Sequence, residues 1–243
     1  MIGKTRLSLF AKALKMFEIE KNENTIWFYD VVGADFLGGV SDGDFKKGLD
    51  SFKGGDITIR VNSPGGDVHT ALSIFNQIKN YKGKVTVMVD ALAASAASYF
   101  PMAADEVVMA ENALMMIHAP LTIAYGNSTV MMETAELLDK HAESMSLAYE
   151  SKTGKSSDEI KAIFDQEVWY TAAEAVENGF ADRVESSELD TDTQLNNSVF
   201  NFKHVPNALQ SDVVPRFAAS AKNRGKINAA KIKAKIATLK NNL

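Results

Sequence analysis

The chain has 243 residues, of which 46% are hydrophobic and 23% charged, and this composition fits one globular domain with additional terminal segments. The absence of cysteine excludes a disulfide framework, a thiolate metal site and a cysteine nucleophile. The net charge is −5, yet no acidic residue follows Asp212, so the C-terminal end is basic. No uncharged stretch is long and continuous enough to predict a transmembrane helix.

The N-terminal segment, residues 1–22, is basic and amphipathic. Apolar residues of its first 17 positions fall on one helical face among lysines, without an acid. The lysines interrupt the apolar run, which argues against a signal peptide. We interpret the segment as a short helix packed on its own domain or on a neighbouring subunit. A partner-docking or membrane-surface helix and an organellar transit peptide are the alternatives.

From about Glu23 the sequence alternates strand-like and helix-like segments, which predicts an α/β domain over residues 23–185. The predicted strands, in chain order, are 25–32, 56–61, 85–89, 106–109 and 113–117. Helices are predicted at 44–52, after residue 67, from Ser95 until Pro101 ends or kinks the helix, and at 128–152. Ser156 with Glu159 and Thr171 with Glu174 are capping boxes that predict two further helix starts, and Gly179 is placed to end the second.

The composition of residues 186–243 predicts a linker followed by a basic C-terminal tail. Apolar residues recur at helical spacing among the lysines of this tail. A solvated, flexible tail is the preferred interpretation, and a contact with nucleic acid, capsid or another partner competes with it.

Ser95 is the first candidate for chemistry because it follows a predicted strand and opens a short helix rich in alanine and serine. A serine at a helix N-terminus has the positive end of the helix dipole beside it, where an oxyanion would form. The alternative is a tightly packed core helix, in which Ser98 is in any case the packing residue.

His118, at the end of a predicted strand, and the Gly65-Gly66 turn supply the other parts of a nucleophilic site. Imidazole takes and returns a proton near neutral pH, and glycine leaves backbone N–H groups unobstructed for an oxyanion. Taken alone, His118 suits a structural role and the glycines suit an ordinary turn. Together with Ser95, they predict a serine hydrolase site.

A third residue should orient the imidazole, and two acids before Trp169 are available. Asp165 is preferred and Glu167 remains open. The alternative for both is a solvated charge at the end of a helix.

Five motifs, in order along residues 25–184, resemble the Clp protease proteolytic subunit family, ClpP, and especially its phage relatives, the head maturation or prohead proteases. The motifs are Arg60-Val-Asn-Ser-Pro-Gly-Gly66, Leu92-Ala-Ala-Ser-Ala-Ala97, Met116-Ile-His-Ala-Pro120, Thr153-Gly-Lys-Ser156 and Glu174-Ala-Val-Glu-Asn-Gly-Phe-Ala-Asp182. The segments Gly38-Gly-Val-Ser41 and Glu167-Val-Trp-Tyr-Thr-Ala172 look more like the phage branch.

The resemblance implies a crotonase-like spiral of ββα units with a protruding handle helix, the helix after His118. It implies that Ser95 is the nucleophile, that His118 is the base and then the acid, and that the N–H groups of Gly66 and Ala96 form the oxyanion hole. Ile163 stands where the housekeeping enzymes have their aspartate, whereas Asp165 fits the phage-type pattern.

The implied function is an ATP-independent serine endopeptidase that cuts scaffold and capsid polypeptides during head maturation, in a host cytoplasm or a prohead. It would act as a homo-oligomeric ring, single or stacked in two. The N-terminal segment does not resemble the axial loops of the housekeeping enzyme, which work with an unfoldase ATPase; that enzyme type is one alternative. A catalytically silent subunit, an acyl-CoA-processing relative and a Ser–Lys peptidase are others. We expect no cofactor and no metal, since no ligand cluster or phosphate loop has suitable spacing.

Overall fold

The described part of the chain, residues 17–33 and 39–185 of a computed structural model, contains one eight-stranded sheet flanked by helices. The strands are β1 (Phe17–Glu20), β2 (Thr25–Phe28), β3 (Ile57–Ser63), β4 (Val85–Ala94), β5 (Glu106–Ala110), β6 (Leu114–Ile117), β7 (Val168–Thr171) and β8 (Arg183–Glu185). The helices are α1 (Asp42–Ser51), α2 (Val68–Lys79), α3 (Ala96–Tyr99), α4 (Ser128–Thr153), α5 (Ser157–Gln166) and α6 (Ala172–Glu177), and a 3₁₀ turn spans Phe100–Ala103. The interpretations of residues 1–16 and 186–243 lie outside the described residues.

The sheet runs β1-β2-β3-β4-β5-β8, and β6 and β7 branch from β4. Strands β2, β3, β4, β5 and β8 are parallel neighbours, while β1 pairs antiparallel with β2. Strand β1 belongs to the segment that the sequence separates from the domain, and its pairing with β2 joins it to the sheet. Alternate residues of β3 are buried and half-buried, so one face of the strand packs into the core. This arrangement is the predicted α/β fold.

One edge of strand β4 pairs with β3, and the opposite edge is divided between two neighbours in a way that positions the site. Its first part, Thr86–Val89, pairs with β5, whereas Leu92–Ala94 pairs with β6. Both pairings are parallel, so the carboxyl ends of β4 and β6 lie side by side. Residues that directly follow these two strands therefore meet at one edge of the sheet.

The helix ends follow the local signals in the sequence. Both predicted capping boxes form, at Ser156 with Glu159 and at Thr171 with Glu174. Gly179, with φ of 80°, lies two residues after the end of the last helix, in the left-handed region that suits glycine.

Helix α4 protrudes from the domain. Its buried residues begin only at Met145, so the 17 residues from Ser128 to Ser144 contain no buried side chain. The helix ends at Gly154, whose φ of 73° is left-handed. No helix among the described residues is long and apolar enough to cross a membrane.

Candidate active site

Ser95 and His118 lie in hydrogen-bond contact. Ser95 follows β4 and His118 follows β6, and the Oγ of Ser95 is 2.7 Å from the Nε2 of His118. The two residues are 23 positions apart in sequence and meet because their strands are parallel neighbours. A neutral imidazole at this distance can accept the hydroxyl proton, which makes the oxygen a nucleophile.

The backbone of Ser95 makes a sharp turn from strand to helix. Its φ of 53° and ψ of −127° are unusual for a residue with a side chain. The N–H of Ser95 donates to the carbonyl of Met116 at 2.9 Å, so β6 holds the turn in place. From Val87 to Met102, Ser95 is the one residue that is not buried. The turn therefore exposes this hydroxyl at the sheet edge while its neighbours stay in the core.

The Gly65-Gly66 turn passes directly against the turn at Ser95. A Cβ atom on Gly65 would lie 2.6 Å from the carbonyl oxygen of Ala94 and 2.9 Å from the nitrogen of Ala96. A Cβ atom on Gly66 would lie 2.1 Å from the carbonyl oxygen of Val32. Both glycines also have positive φ angles, 96° and 148°. Only glycine fits this approach of two backbones.

The N–H groups of Gly66 and Ala96 are available as donors beside Ser95. Neither donates to a backbone carbonyl of another described residue. Ala96 is the first residue of α3, where N–H groups have no partner within the helix. Two such donors near a nucleophile are the elements of an oxyanion hole.

The two candidate acids differ in burial and position. Asp165 lies exposed near the end of α5. Glu167 is 6% exposed and sits at the end of the same helix, with a φ of 51° that turns the chain into β7. Strands β6 and β7 are antiparallel, with Ile117 opposite Val168. Glu167 directly precedes β7 and His118 directly follows β6, so the two residues flank the paired ends of these strands.

The sheet contains a buried ion pair that the sequence motifs did not predict. Asp90, on β4 and 1% exposed, accepts a hydrogen bond from the Nε of Arg60 on β3 at 2.9 Å, and a second from the same guanidinium. The hydroxyl of Tyr29 donates to the same carboxylate. Burial, with this hydrogen bond, raises the pKa of Tyr29. The available signal was an arginine inside one predicted strand and an aspartate directly after the next.

The described side chains were compared with the ligand groups that a metal ion needs. Across residues 17–33 and 39–185, no group of three or more His, Cys, Asp or Glu residues is placed to hold an ion.

An α/β sheet in which two neighbouring parallel strands end in a hydrogen-bonded serine and histidine is an arrangement that suits nucleophilic chemistry. Comparison with known families identifies the family of this chain: the model of the Clp protease family matches residues 49–188. This match spans more than half of the chain, and the chain belongs to the Clp protease family, a family of peptidases.

Individual relatives agree with this assignment. The ATP-dependent Clp protease proteolytic subunit 1 of Protochlamydia amoebophila is 33% identical over 138 residues, which cover 55% of this chain and 67% of that protein. The ATP-dependent Clp protease proteolytic subunit of Bacteroides fragilis is 32% identical over 139 residues, covering 56% of this chain and 67% of that protein.

A solved structure shows the fold. A ClpP1 mutant from Listeria monocytogenes superposes with a TM-score of 0.59 at 24% identity, covering 69% of this chain and 94% of that one. The predicted ClpP-type α/β fold is confirmed.

Proposed function

We propose that the chain is a serine endopeptidase in which Ser95 is the nucleophile and His118 is the general base and then the general acid. The observation that carries the proposal is the 2.7 Å contact between the Ser95 Oγ and the His118 Nε2 at the ends of two parallel strands. Membership of a peptidase family makes a peptide bond the expected target.

The proposed reaction has two halves. His118 takes the Ser95 proton as the Oγ attacks the peptide carbonyl, and the resulting oxyanion accepts hydrogen bonds from the N–H groups of Gly66 and Ala96. The imidazolium then gives its proton to the leaving amine, which leaves an acyl group on Ser95. In the second half His118 takes a proton from water, the hydroxide attacks the acyl carbonyl, and the proton returns to Ser95.

We propose Glu167, rather than the initially preferred Asp165, as the residue that orients the His118 imidazole. Its support is burial and position, since Glu167 is 6% exposed and directly precedes Val168, the residue opposite Ile117. An exposed carboxylate such as Asp165 is screened by water and holds an imidazole less firmly.

Intact mass spectrometry after incubation with a fluorophosphonate probe tests the proposed nucleophile. Wild-type protein should gain one adduct, and Ser95→Ala and His118→Ala should gain none. His141→Ala is the matched histidine control, because His141 lies on α4 and pairs with His69 rather than with a serine. An unlabelled wild-type oligomer, or an adduct that persists in Ser95→Ala, would overturn the assignment and favour a catalytically silent structural subunit.

We further propose that the enzyme is ATP-independent and belongs to the phage prohead branch, cutting scaffold or capsid polypeptides. The supporting observations are the phage-like segments 38–41 and 167–172. Active enzyme should process capsid and scaffold proteins encoded in its own genome, and Ser95→Ala should leave them intact. Unchanged masses of those proteins in the presence of labelled, active enzyme would contradict this finer proposal.

An ATP-dependent peptidase is the second candidate, because the relatives from P. amoebophila and B. fragilis are named as proteolytic subunits of an ATP-dependent protease. Hydrolysis of an unfolded protein such as casein by the purified chain without ATP separates the two. Cleavage to completion favours the ATP-independent enzyme. Cleavage of short peptides but not of casein favours a proteolytic subunit that needs an ATPase partner.

A further inference from the structure

A buried chain of two hydroxyl groups connects helix α4 to the peptide bond that follows Ser95. The Oγ of Ser98 donates to the carbonyl oxygen of Ser95 at 2.7 Å and lies 2.9 Å from the hydroxyl oxygen of Tyr149. The backbone N–H of Ser98 donates to the same carbonyl at 2.9 Å. The serine is 0% exposed and the tyrosine 1% exposed, so water does not compete for these contacts.

The order of the protons in this chain follows from its geometry. Ser98 has one hydroxyl proton, and the carbonyl of Ser95 receives it. Tyr149 must then be the donor in the contact between the two hydroxyls. Burial raises the pKa of Tyr149, so the phenol keeps its proton through the pH range in which a peptidase works. The direction is therefore Tyr149 to Ser98 to Ser95.

The carbonyl that accepts these bonds belongs to the same peptide group as the N–H of Ala96. Hydrogen bonds accepted at a carbonyl polarise the peptide unit and strengthen its N–H as a donor, and chains of hydrogen bonds reinforce one another. The same bonds restrict the ψ of Ser95, −127°, because ψ sets the direction of its carbonyl group. Aromatic contacts fix Tyr149 itself, with ring centroids 5.7 Å from Phe164 and 5.8 Å from Tyr99.

We propose that the hydroxyl of Tyr149, acting through Ser98, is a positioning group that orients and strengthens the Ala96 N–H as an oxyanion donor. The inference rests on the proposed function, because it assigns a role to a residue behind the proposed oxyanion hole. Tyr149 does not touch the reacting atoms. Its effect appears in the transition state, where charge develops on the oxyanion, and not in the binding of the ground state.

Saturation kinetics of fluorophosphonate inactivation test this role, since they separate the maximal rate of inactivation from the probe concentration that gives half of it. Tyr149→Phe keeps the buried ring and removes only the hydroxyl. We expect its maximal rate to fall about threefold to tenfold, the range for one lost hydrogen bond, while the half-saturating concentration stays the same. Ser98→Ala should lose at least as much.

The double variant distinguishes a shared chain from two separate structural effects. If both hydroxyls act in one chain, Ser98→Ala with Tyr149→Phe is no slower than Ser98→Ala alone. Tyr99→Phe is the matched control, because it removes a hydroxyl from a neighbouring buried ring that is not part of the Tyr149–Ser98–Ser95 hydrogen bonds. This variant should keep the wild-type rate.

A wild-type rate in Tyr149→Phe, or losses that multiply in the double variant, would overturn the inference while leaving the nucleophile assignment intact. A wild-type protein that takes no label would instead overturn the proposed function, and this inference with it. The two failures are therefore distinct.

Discussion

Gly65 lies so close to Ser95 that a Cβ atom on the glycine would be 2.8 Å from the Cβ of the serine. Two nearby backbone atoms, the carbonyl oxygen of Ala94 and the nitrogen of Ala96, would be equally crowded. Backbone atoms cannot rotate away as a side chain can. The turn with the proposed donor Gly66 can thus lie this close to the turn with the nucleophile only because Gly65 has no side chain.

Substitution of this glycine by alanine should inactivate the enzyme. In Gly65→Ala the positive φ costs about 1–2 kcal/mol, and the clash must in addition separate the two turns. We expect fluorophosphonate labelling to slow at least about tenfold, since a displacement of about 1 Å in a catalytic group costs more than that.

Gly154→Ala is the control for this prediction. Gly154 has a φ of 73°, but nothing lies within 4 Å of the position of its added Cβ. It should lose about 1–2 kcal/mol of stability and label at the wild-type rate. Equal labelling rates in the two variants, measured beside urea unfolding curves, would show that the contact between the turns is dispensable.

The acid that orients His118 can be identified by amide substitution. Glu167→Gln keeps the volume of the buried side chain and removes its charge, and we expect labelling or peptide hydrolysis to fall about a hundredfold or more. Asp165→Asn, in an exposed position two residues earlier, should keep near wild-type activity. The reverse result, with the larger loss in Asp165→Asn, would restore the assignment first favoured by the motif.

Removal of Arg60 should destabilise the domain strongly. Asp90 is 1% exposed, and Arg60→Met would leave this carboxylate with the Tyr29 hydroxyl but without a counter-charge. An unpaired buried charge costs about 3–5 kcal/mol. Urea unfolding at neutral pH measures the loss.

A surface ion pair provides the comparison. Lys46 and Asp50 pair on α1 with side chains 52% and 64% exposed. Lys46→Met should change the free energy of unfolding by less than about 1 kcal/mol. Similar losses in Lys46→Met and Arg60→Met would mean that the Asp90 cluster stabilises the fold no more than a solvated pair does.

The capping box at α6 predicts a pH dependence of stability. The backbone N–H and the hydroxyl of Thr171 donate to Glu174 and lower the pKa of its carboxyl. A carboxyl with a lowered folded-state pKa stabilises the fold above its unfolded pKa, and this stabilisation is lost as the pH falls through the folded value. Glu174→Gln should therefore melt below wild type at pH 7.

The difference between the two melting temperatures should shrink as the pH falls below the ordinary glutamate pKa of about 4.3. Calorimetric scans of both proteins from pH 7 to acid conditions give this difference. A gap that stays constant over that range would assign the effect of the substitution to packing, and not to charge.

The exposed apolar side chains of α4 predict an interface between copies of the chain. Met132 and Leu137 are 61% and 54% exposed on the part of the helix that has no buried residues. The double variant Met132→Lys with Leu137→Lys should reduce the mass of the assembly measured by light scattering, because it places charge in an apolar contact. Glu136→Lys, on the same exposed stretch, should leave the mass unchanged. A monomeric wild type would contradict the oligomeric ring that the family resemblance implies.

Local signals in the sequence determined much of this protein. Both capping boxes, the helix end before Gly179 and the strand before His118 form where the residues predict them, whereas β4 continues five residues beyond its predicted end at Val89. These features depend on backbone preferences and on hydrogen bonds between residues three or four positions apart, and a linear sequence displays such neighbours directly.

Contacts between distant segments were decided only by the tertiary structure. The contact of Ser95 with His118 depends on β4 dividing its pairing between β5 and β6. The burial of Glu167 and the exposure of Asp165 depend on how α5 ends against β6 and β7, and the partner of Asp90 comes from another strand. Burial and strand pairing are properties of surfaces that come together on folding. The sequence therefore determined which residues were able to do the chemistry, and the fold decided which of them meet.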